Sequence, residues 1–103
     1  MRAPPLSELV RLDDAAFRTL FAKSPVKRIG RDRFVRNVLI AIGNAEDASL
    51  ATEAERLLDD ASPLVRGAAV WALSQLMVRD AFVALGSKAI TSEMDGLVIE
   101  EWR

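Results

Sequence analysis

The stretch that decides the fold is S-P-V-K-R-I-G-R-D-R-F-V-R-N-V-L-I-A-I-G-N, residues 24–44, which changes from basic to apolar along its length. In its second half the apolar side chains recur at steps of one, three and four, which places them on a single stripe of an α-helix. They are Phe34, Val35, Val38, Leu39 and Ile42. Arg33, Arg36 and Asn37 fall outside that stripe. The stretch therefore predicts a helix over residues 31–43 that packs by one side and holds polar groups outward.

The charge of the chain is unevenly distributed although its formal net charge is only −1. Residues 23–36 hold six cations against one anion, Asp32, whereas residues 46–60 hold six carboxylates against Arg56. A local basic face is therefore expected, and phosphate groups are its natural ligands. The alternative is that the same cations are solvated or pair with the acidic run or with another domain. The candidate RNA-binding residues are Lys27, Arg28, Arg31, Arg33, Arg36 and Asn37.

The sequence contains no cysteine and no histidine. This composition excludes disulfides, thiolate nucleophiles, iron–sulfur ligation and histidine-type zinc sites within these residues. It also removes the usual acid–base residue at neutral pH, and the five glycines form no phosphate-binding loop. We therefore expect no catalysis by this chain alone and no metal site. A reducing cytoplasm is the expected location, because no signal-peptide stretch and no membrane span are evident.

Several further helices are indicated by their caps and apolar spacing. Asp13 is suited to cap a helix that runs to about residue 22, and a further helix is expected over residues 49–59. Ser62 with Pro63 at the first helical position predicts the start of a long amphipathic helix over residues 64–77. Helices are also expected over residues 79–88 and, capped by Ser92, from there to about residue 102. No segment predicts a strand.

An internal echo suggests how these helices are arranged. A-I-G-N at residues 41–44 matches A-L-S-Q at residues 72–75, an offset of 31 residues. Repeats of this length, built of two antiparallel helices, are typical of α-solenoids. We therefore predict an all-α, HEAT-like α-solenoid of about six helices, with two repeat units and flanking capping helices. It would form one domain over residues 1–103.

The quoted stretch, followed by D-D-A-S-P-L-V-R-G-A-A-V-W-A-L at residues 59–73, resembles the C-terminal region of the epoxyqueuosine reductases. L-D-D-A-A-F-R-T-L-F at residues 12–21 adds to the likeness, and E-M-D-G-L-V-I-E-E-W at residues 93–102 adds a weaker part of it. The resemblance implies that the chain is the C-terminal fragment of a larger cytoplasmic enzyme. Such enzymes reduce epoxyqueuosine in tRNA with cobalamin and two four-iron clusters.

In that family the cofactors and their cysteines precede the region that this chain resembles. The resemblance therefore implies no cofactor and no catalytic residue here, and it implies a tRNA-binding accessory domain in queuosine biosynthesis. Its expected partners are the anticodon stem-loop of tRNA, at the candidate residues named above, and the N-terminal cofactor domain. The rival interpretation is a structural or protein-interaction HEAT repeat that makes no contact with nucleic acid.

Three other side chains are open to two interpretations each. Arg66 is expected to reach carboxylates or helix-end carbonyls nearby, with Asp59 and Asp60 as neighbours in sequence, in preference to nucleic acid. Trp71 is expected to serve in core or interdomain packing in preference to stacking on a base. Trp102 is expected either to cover the last repeat or to dock on the missing domain.

Overall fold

Seven α-helices and three short 3-10 helices form the part of the chain that the structure describes, residues 5–103 of a computed structural model. The 3-10 helices are Pro25–Ile29, Ala48–Leu50 and Leu57–Asp59. No strand occurs among these residues, so the prediction of an all-α fold is confirmed, with one α-helix more than the six expected. The α-helices are α1 (Leu6–Leu9), α2 (Asp14–Leu20), α3 (Arg31–Asn44), α4 (Ala51–Arg56), α5 (Pro63–Leu76), α6 (Arg79–Ala89) and α7 (Gly96–Glu101).

Two of the predicted helix starts are confirmed by their capping hydrogen bonds. The Asp13 carboxylate accepts a hydrogen bond from the Ala16 N–H at 2.7 Å and begins α2. The Ser62 hydroxyl accepts one from the Val65 N–H at 3.4 Å, with Pro63 at the first position of α5. Each cap satisfies a backbone donor that has no partner inside the helix, which fixes where the helix begins.

The last helix begins later than the sequence suggested, and the prediction that Ser92 caps it is wrong. Asp95 is the cap, because its carboxylate accepts hydrogen bonds from the N–H groups of Leu97 and Val98 at 2.9 and 3.2 Å. The Ser92 hydroxyl instead donates to the Ala89 carbonyl at 3.3 Å, at the end of α6. Aspartate and serine both favour cap positions, so the residue type alone did not distinguish them.

The helix expected over residues 49–59 is present only in its middle. Asp47 begins the segment as a 3-10 turn by accepting hydrogen bonds from the Ser49 N–H and hydroxyl, and α4 follows from Ala51. The chain tightens again into the 3-10 helix Leu57–Asp59 before Asp60 turns into extended backbone. Such 3-10 turns commonly form the ends of α-helices.

The core lies where α5 packs against α3 on one side and against α7 and α4 on the others. Three pairs of residues separated by the predicted offset of 31 are all buried there: Val38 with Ala69, Leu39 with Val70, and Ile42 with Leu73. The internal echo therefore corresponds to two 14-residue helices that bury matching positions against each other. Burial of apolar surface of this kind is the main stabilising contribution to folding.

Three arginine–carboxylate pairs join segments that are remote in sequence. Arg11 binds Glu53, Arg31 binds Asp60, and Arg66 binds Glu93. Each carboxylate is largely shielded from solvent, with side-chain exposures of 11, 11 and 8%. Because paired charges in such positions are costly to separate, these contacts fix the loops and helix ends relative to the core.

Candidate nucleic-acid interface

The basic part of the deciding stretch forms a short helix of its own. The Ser24 hydroxyl accepts a hydrogen bond from the Val26 N–H at 3.2 Å, and Pro25 occupies the first turn of the 3-10 helix Pro25–Ile29. Lys27 and Arg28 lie on this helix with exposed side chains. No separate helix was predicted for this segment. The signal that could have found it is Ser-Pro, the same pair that begins α5.

Gly30 connects this 3-10 helix to α3. Its φ angle is +83°, a left-handed backbone conformation that L side chains rarely adopt. The Gly30 N–H donates to the Lys27 carbonyl at 3.3 Å, and the Gly30 carbonyl accepts from the Phe34 N–H at 3.1 Å. This tight connection brings the cations of the short helix next to those at the start of α3.

The polar side of α3 is arranged as the sequence predicted. Arg33 and Asn37 are exposed and Arg36 is partly exposed, whereas the apolar stripe on the other side of the helix is buried except at Phe34, which is partly buried. The Arg36 guanidinium donates from Nε to the Asn37 Oδ1 atom at 3.3 Å, which orients both side chains along the helix surface. The arrangement leaves the remaining guanidinium donors of Arg36 available to a ligand.

Arg31 differs from the other cations of residues 23–36, the basic run, because its guanidinium hydrogen-bonds to other groups of the protein. Its Nε donates to the Leu12 carbonyl at 2.8 Å, and its Nη1 and Nη2 atoms lie 3.0 and 2.8 Å from the two carboxylate oxygens of Asp60. Its side chain is only 14% exposed. Asp32 approaches the same guanidinium at 3.1 Å.

The Arg31–Asp60 pair perturbs the protonation of the carboxyl. Burial raises the pKa of Asp60, but hydrogen bonds from Arg31 and from the Ser62 N–H favour the ionised form and bring this pKa below its ordinary value. The pair therefore holds the turn before α5 against the start of α3. It positions the basic run and leaves Arg31 little capacity for a further ligand.

The acidic run does not neutralise the rest of the basic run. Within residues 5–103, no ion pair joins Lys27, Arg28, Arg33 or Arg36 to a carboxylate within 4 Å. Intramolecular pairing with residues 46–60, one alternative left open by the sequence, is thus realised at Arg31 and not at these four cations. Their positive charge remains available to an external anion.

Arg66 has the structural role that the sequence predicted. Its Nη1 atom donates to the carbonyls of Asp60 and Ala61 at 2.9 and 3.2 Å, which closes the turn before α5. Its Nε and Nη2 atoms bind the two carboxylate oxygens of Glu93 at 2.8 and 3.0 Å. The carboxylate partner is therefore Glu93 and not Asp59 or Asp60, the two neighbours that the sequence suggested.

The rings of both tryptophans pack against other helices of the domain. The Trp71 ring on α5 lies so close to Gly43 on α3 that a Cβ atom at position 43 would be 2.5 Å from Cζ3 of the ring. This contact holds α5 against α3. Trp102 is 9% exposed, and its ring packs on Phe82 with a centroid separation of 5.0 Å. Trp102 thus packs against α6.

Two further observations bear on the kind of site this chain can form. None of the helices between residues 5 and 103 is long and apolar enough to span a membrane. Over the same residues, no three side chains of the metal-binding types His, Cys, Asp and Glu come together as a possible ion site. The residues present do not fit a four-iron cluster, because the sequence has no cysteine to ligate it.

Comparison with known proteins identifies similar sequences, although no family model matches the chain. It is 36% identical over 78 residues to the epoxyqueuosine reductase of Alicycliphilus denitrificans, which covers 68% of this chain and 22% of that protein. It is 40% identical over 73 residues to the Xanthomonas campestris pv. campestris enzyme of the same name, covering 68% and 20%. The Listeria monocytogenes enzyme matches 95% of this chain with 29% identity over 99 residues, and 26% of that enzyme is covered.

Solved structures match over nearly the whole chain. A crystal structure of an epoxyqueuosine reductase with an epoxyqueuosine-modified tRNA-Tyr stem loop superposes with a TM-score of 0.87 and 27% identity. The match covers 96% of this chain and 26% of the solved one. The chain thus spans between a fifth and about a quarter of the length of the relatives that it matches.

Proposed function

This chain is homologous to part of the epoxyqueuosine reductases, and we propose that it is the tRNA-binding accessory domain of such an enzyme. In this proposal it forms the C-terminal, HEAT-like part of a longer cytoplasmic oxidoreductase that acts in queuosine biosynthesis. Its ligand is the anticodon stem-loop of the substrate tRNA. The observation that carries the proposal is the set of exposed cations at the start of α3 and on the helix before it, which no carboxylate of residues 5–103 neutralises.

The physical basis of the interaction is charge. RNA helices are recognised mainly through their shape, phosphates and 2′-hydroxyl groups, so a cationic surface suffices without base-specific contacts. Lys27, Arg28 and Arg33 would bind phosphates directly, because their side chains extend into solvent. Arg36 and Asn37 would add donors at the border of this surface, where their mutual hydrogen bond orients them. Arg31 would hold these residues in place through Asp60.

The redox chemistry of the proposed parent enzyme belongs to other residues. Cobalamin and iron–sulfur clusters would be held by an N-terminal cofactor domain, which is the second partner in this proposal. The part played by the present residues is to bind and orient the RNA stem. Binding energy supplied at a distance from the reacting group can position that group for catalysis.

The test is a salt titration of the 103-residue chain with a fluorescent tRNA-Tyr anticodon stem-loop, and an unrelated hairpin serves for comparison. The variant Arg28→Glu/Arg33→Glu should lose binding at low salt. The matched control is Arg79→Glu/Lys88→Glu, which changes the net charge equally but alters exposed cations of α6. If both double variants weaken binding equally, the interaction is with net charge alone and the proposed surface is wrong.

The rival function is a structural or protein-interaction domain that contacts no nucleic acid. It predicts no binding of either hairpin by the folded chain, even at low salt. Circular dichroism would verify that each variant retains its helices. Preference for the tRNA-Tyr stem-loop over the unrelated hairpin would extend the proposal from general RNA binding to substrate recognition.

A further inference from the structure

An apolar groove of about 600 Å³ lies along α5, with α3 forming one wall and α7 the other. Small side chains on α5 leave space for it, since Gly67 and Ala68 face the groove between larger neighbours. The principal apolar side chains that line it are Ile40, Leu64, Ala68, Trp71, Leu97 and Val98.

The larger side chains of this groove are unusually exposed for their type. Leu97 is 81% exposed, and Ile40 and Leu64 are 41% exposed each. Single exposed leucines are ordinary on protein surfaces, but a contiguous set in a concave site marks an interaction surface. The groove therefore lacks a covering partner in the isolated chain.

Charges of both signs border the groove. Arg36 lies on the α3 wall, whereas Asp95 and Glu101 lie on the α7 wall. The Asp95 carboxylate already accepts two backbone hydrogen bonds as the cap of α7, but Glu101 forms no ion pair with any residue of 5–103. A phosphate backbone in the groove would be repelled by the carboxylates of the α7 wall. A polypeptide with an apolar stripe and charges of both signs fits better.

We propose that the groove holds an amphipathic helix from another part of the same longer polypeptide. The helix would present apolar side chains to Leu64 and Leu97 and a basic residue to Glu101. This inference rests on the proposed function, which makes the chain one part of an enzyme about four times its length, as the 26% coverage of the solved relative indicates. RNA then binds on the neighbouring surface of α3 and on the helix before it.

The experiment uses a chimera in which this chain replaces the matched quarter of the Listeria monocytogenes epoxyqueuosine reductase. The photo-crosslinking residue benzoylphenylalanine is placed at position 97, in the groove, or at position 78 as the matched control. Val78 is 74% exposed and lies outside the groove. Mass spectrometry after illumination identifies the crosslinked peptide.

The expected result is a crosslink from position 97 to a peptide of the Listeria part of the chimera, with none from position 78. Leu64→Asp should abolish that crosslink while the isolated chain retains its helices, because Leu64 is already partly exposed. A folded chimera that gives no crosslink from position 97, or gives one only to a second copy or to added tRNA stem-loop, would overturn the proposal.

The outcome is separable from that of the proposed function. Arg28→Glu/Arg33→Glu should abolish RNA binding by the chimera and leave the crosslink from position 97 unchanged. Loss of the crosslink with RNA binding intact would refute the groove alone. If the unsubstituted chimera gives the crosslink but does not bind RNA, or if Arg28→Glu/Arg33→Glu leaves its RNA binding intact, the RNA surface alone is refuted.

Discussion

Arg31 and Asp60 form a two-point ion pair, with Nη1 3.0 Å from Oδ2 and Nη2 2.8 Å from Oδ1, between the start of α3 and the turn before α5. The same guanidinium binds the Leu12 carbonyl at 2.8 Å, so one side chain joins three segments. A residue from the middle of the basic run therefore serves the fold, while its neighbours Arg28 and Arg33 remain exposed. In the sequence, a structural arginine and exposed arginines stand in the same cluster of charges. Only their contacts in the folded chain distinguish them.

The first prediction concerns the stability provided by this pair. Arg31→Met should lower the free energy of unfolding by about 2–3 kcal/mol, because it leaves Asp60 shielded from water without its cation. Arg28→Met is the matched control and should change this free energy by less than about 0.5 kcal/mol, since Arg28 is exposed. Urea denaturation followed by circular dichroism measures both. Equal effects would mean that the Arg31 contacts are not maintained in solution.

The second prediction is a dependence of stability on pH. Hydrogen bonds from Arg66 lower the pKa of Glu93 against the opposing effect of burial, and those from Arg11 do the same for Glu53. Carboxyl groups in the unfolded chain titrate at about pH 4. Near that pH the folded state therefore binds fewer protons than the unfolded state. The stabilisation that these two pairs add to the free energy of unfolding should therefore be complete above about pH 5 and decrease as the pH falls below that value.

Glu93→Gln tests the cause of this pH dependence. The substitution removes a carboxyl whose lowered pKa contributes to the effect, so the variant should be less stable at pH 7 and lose less stability on acidification. Urea denaturation at a series of pH values from 7 to 3 measures both differences. An unchanged slope in the variant would show that the Arg66–Glu93 pair does not contribute.

The sequence predicted contacts between residues close together along the chain better than contacts between residues far apart along it. The helix at residues 31–43, its buried stripe and the Ser62 cap follow from local spacing and residue type, and they were predicted closely. The partners of Arg31 and Arg66 lie 29 and 27 residues away, where periodicity carries no information. For Arg66 the sequence suggested the nearest carboxylates, whereas the chain folds back to bring Glu93 to it.

The candidate RNA surface was predicted in the same partial way. Arg33, Arg36 and Asn37 project from α3 as their spacing requires, but which cations are already bound to carboxylates could not be inferred from composition. The short helix that carries Lys27 and Arg28 was not predicted, because its five residues are too few to show a helical period. RNA contact at these residues remains a prediction.

The third prediction concerns the close approach of α3 and α5. Gly43→Ala should lower the free energy of unfolding by about 2 kcal/mol, because the new Cβ would lie 2.5 Å from Cζ3 of Trp71 and force the ring to move. Gly96→Ala is the matched control, since no atom lies within 4 Å of a Cβ there. It should stabilise α7 by roughly 0.5 kcal/mol. If thermal denaturation gives the two variants similar stabilities, the packing of Trp71 on Gly43 is incorrect.

The fourth prediction measures how many cations contact RNA. In a plot of the logarithm of the RNA association constant against the logarithm of salt concentration, each lost phosphate contact should reduce the magnitude of the slope by about 0.7–0.9. Arg28→Gln and Arg33→Gln should each reduce it by that amount. Arg31→Met should leave the slope unchanged in the folded protein, because the Arg31 guanidinium is already neutralised by Asp60. Fluorescence anisotropy with the tRNA-Tyr stem-loop, at a temperature where all variants are folded, gives these slopes. An equal reduction for Arg31→Met would mean that the ion pair opens on binding and that Arg31 itself contacts a phosphate.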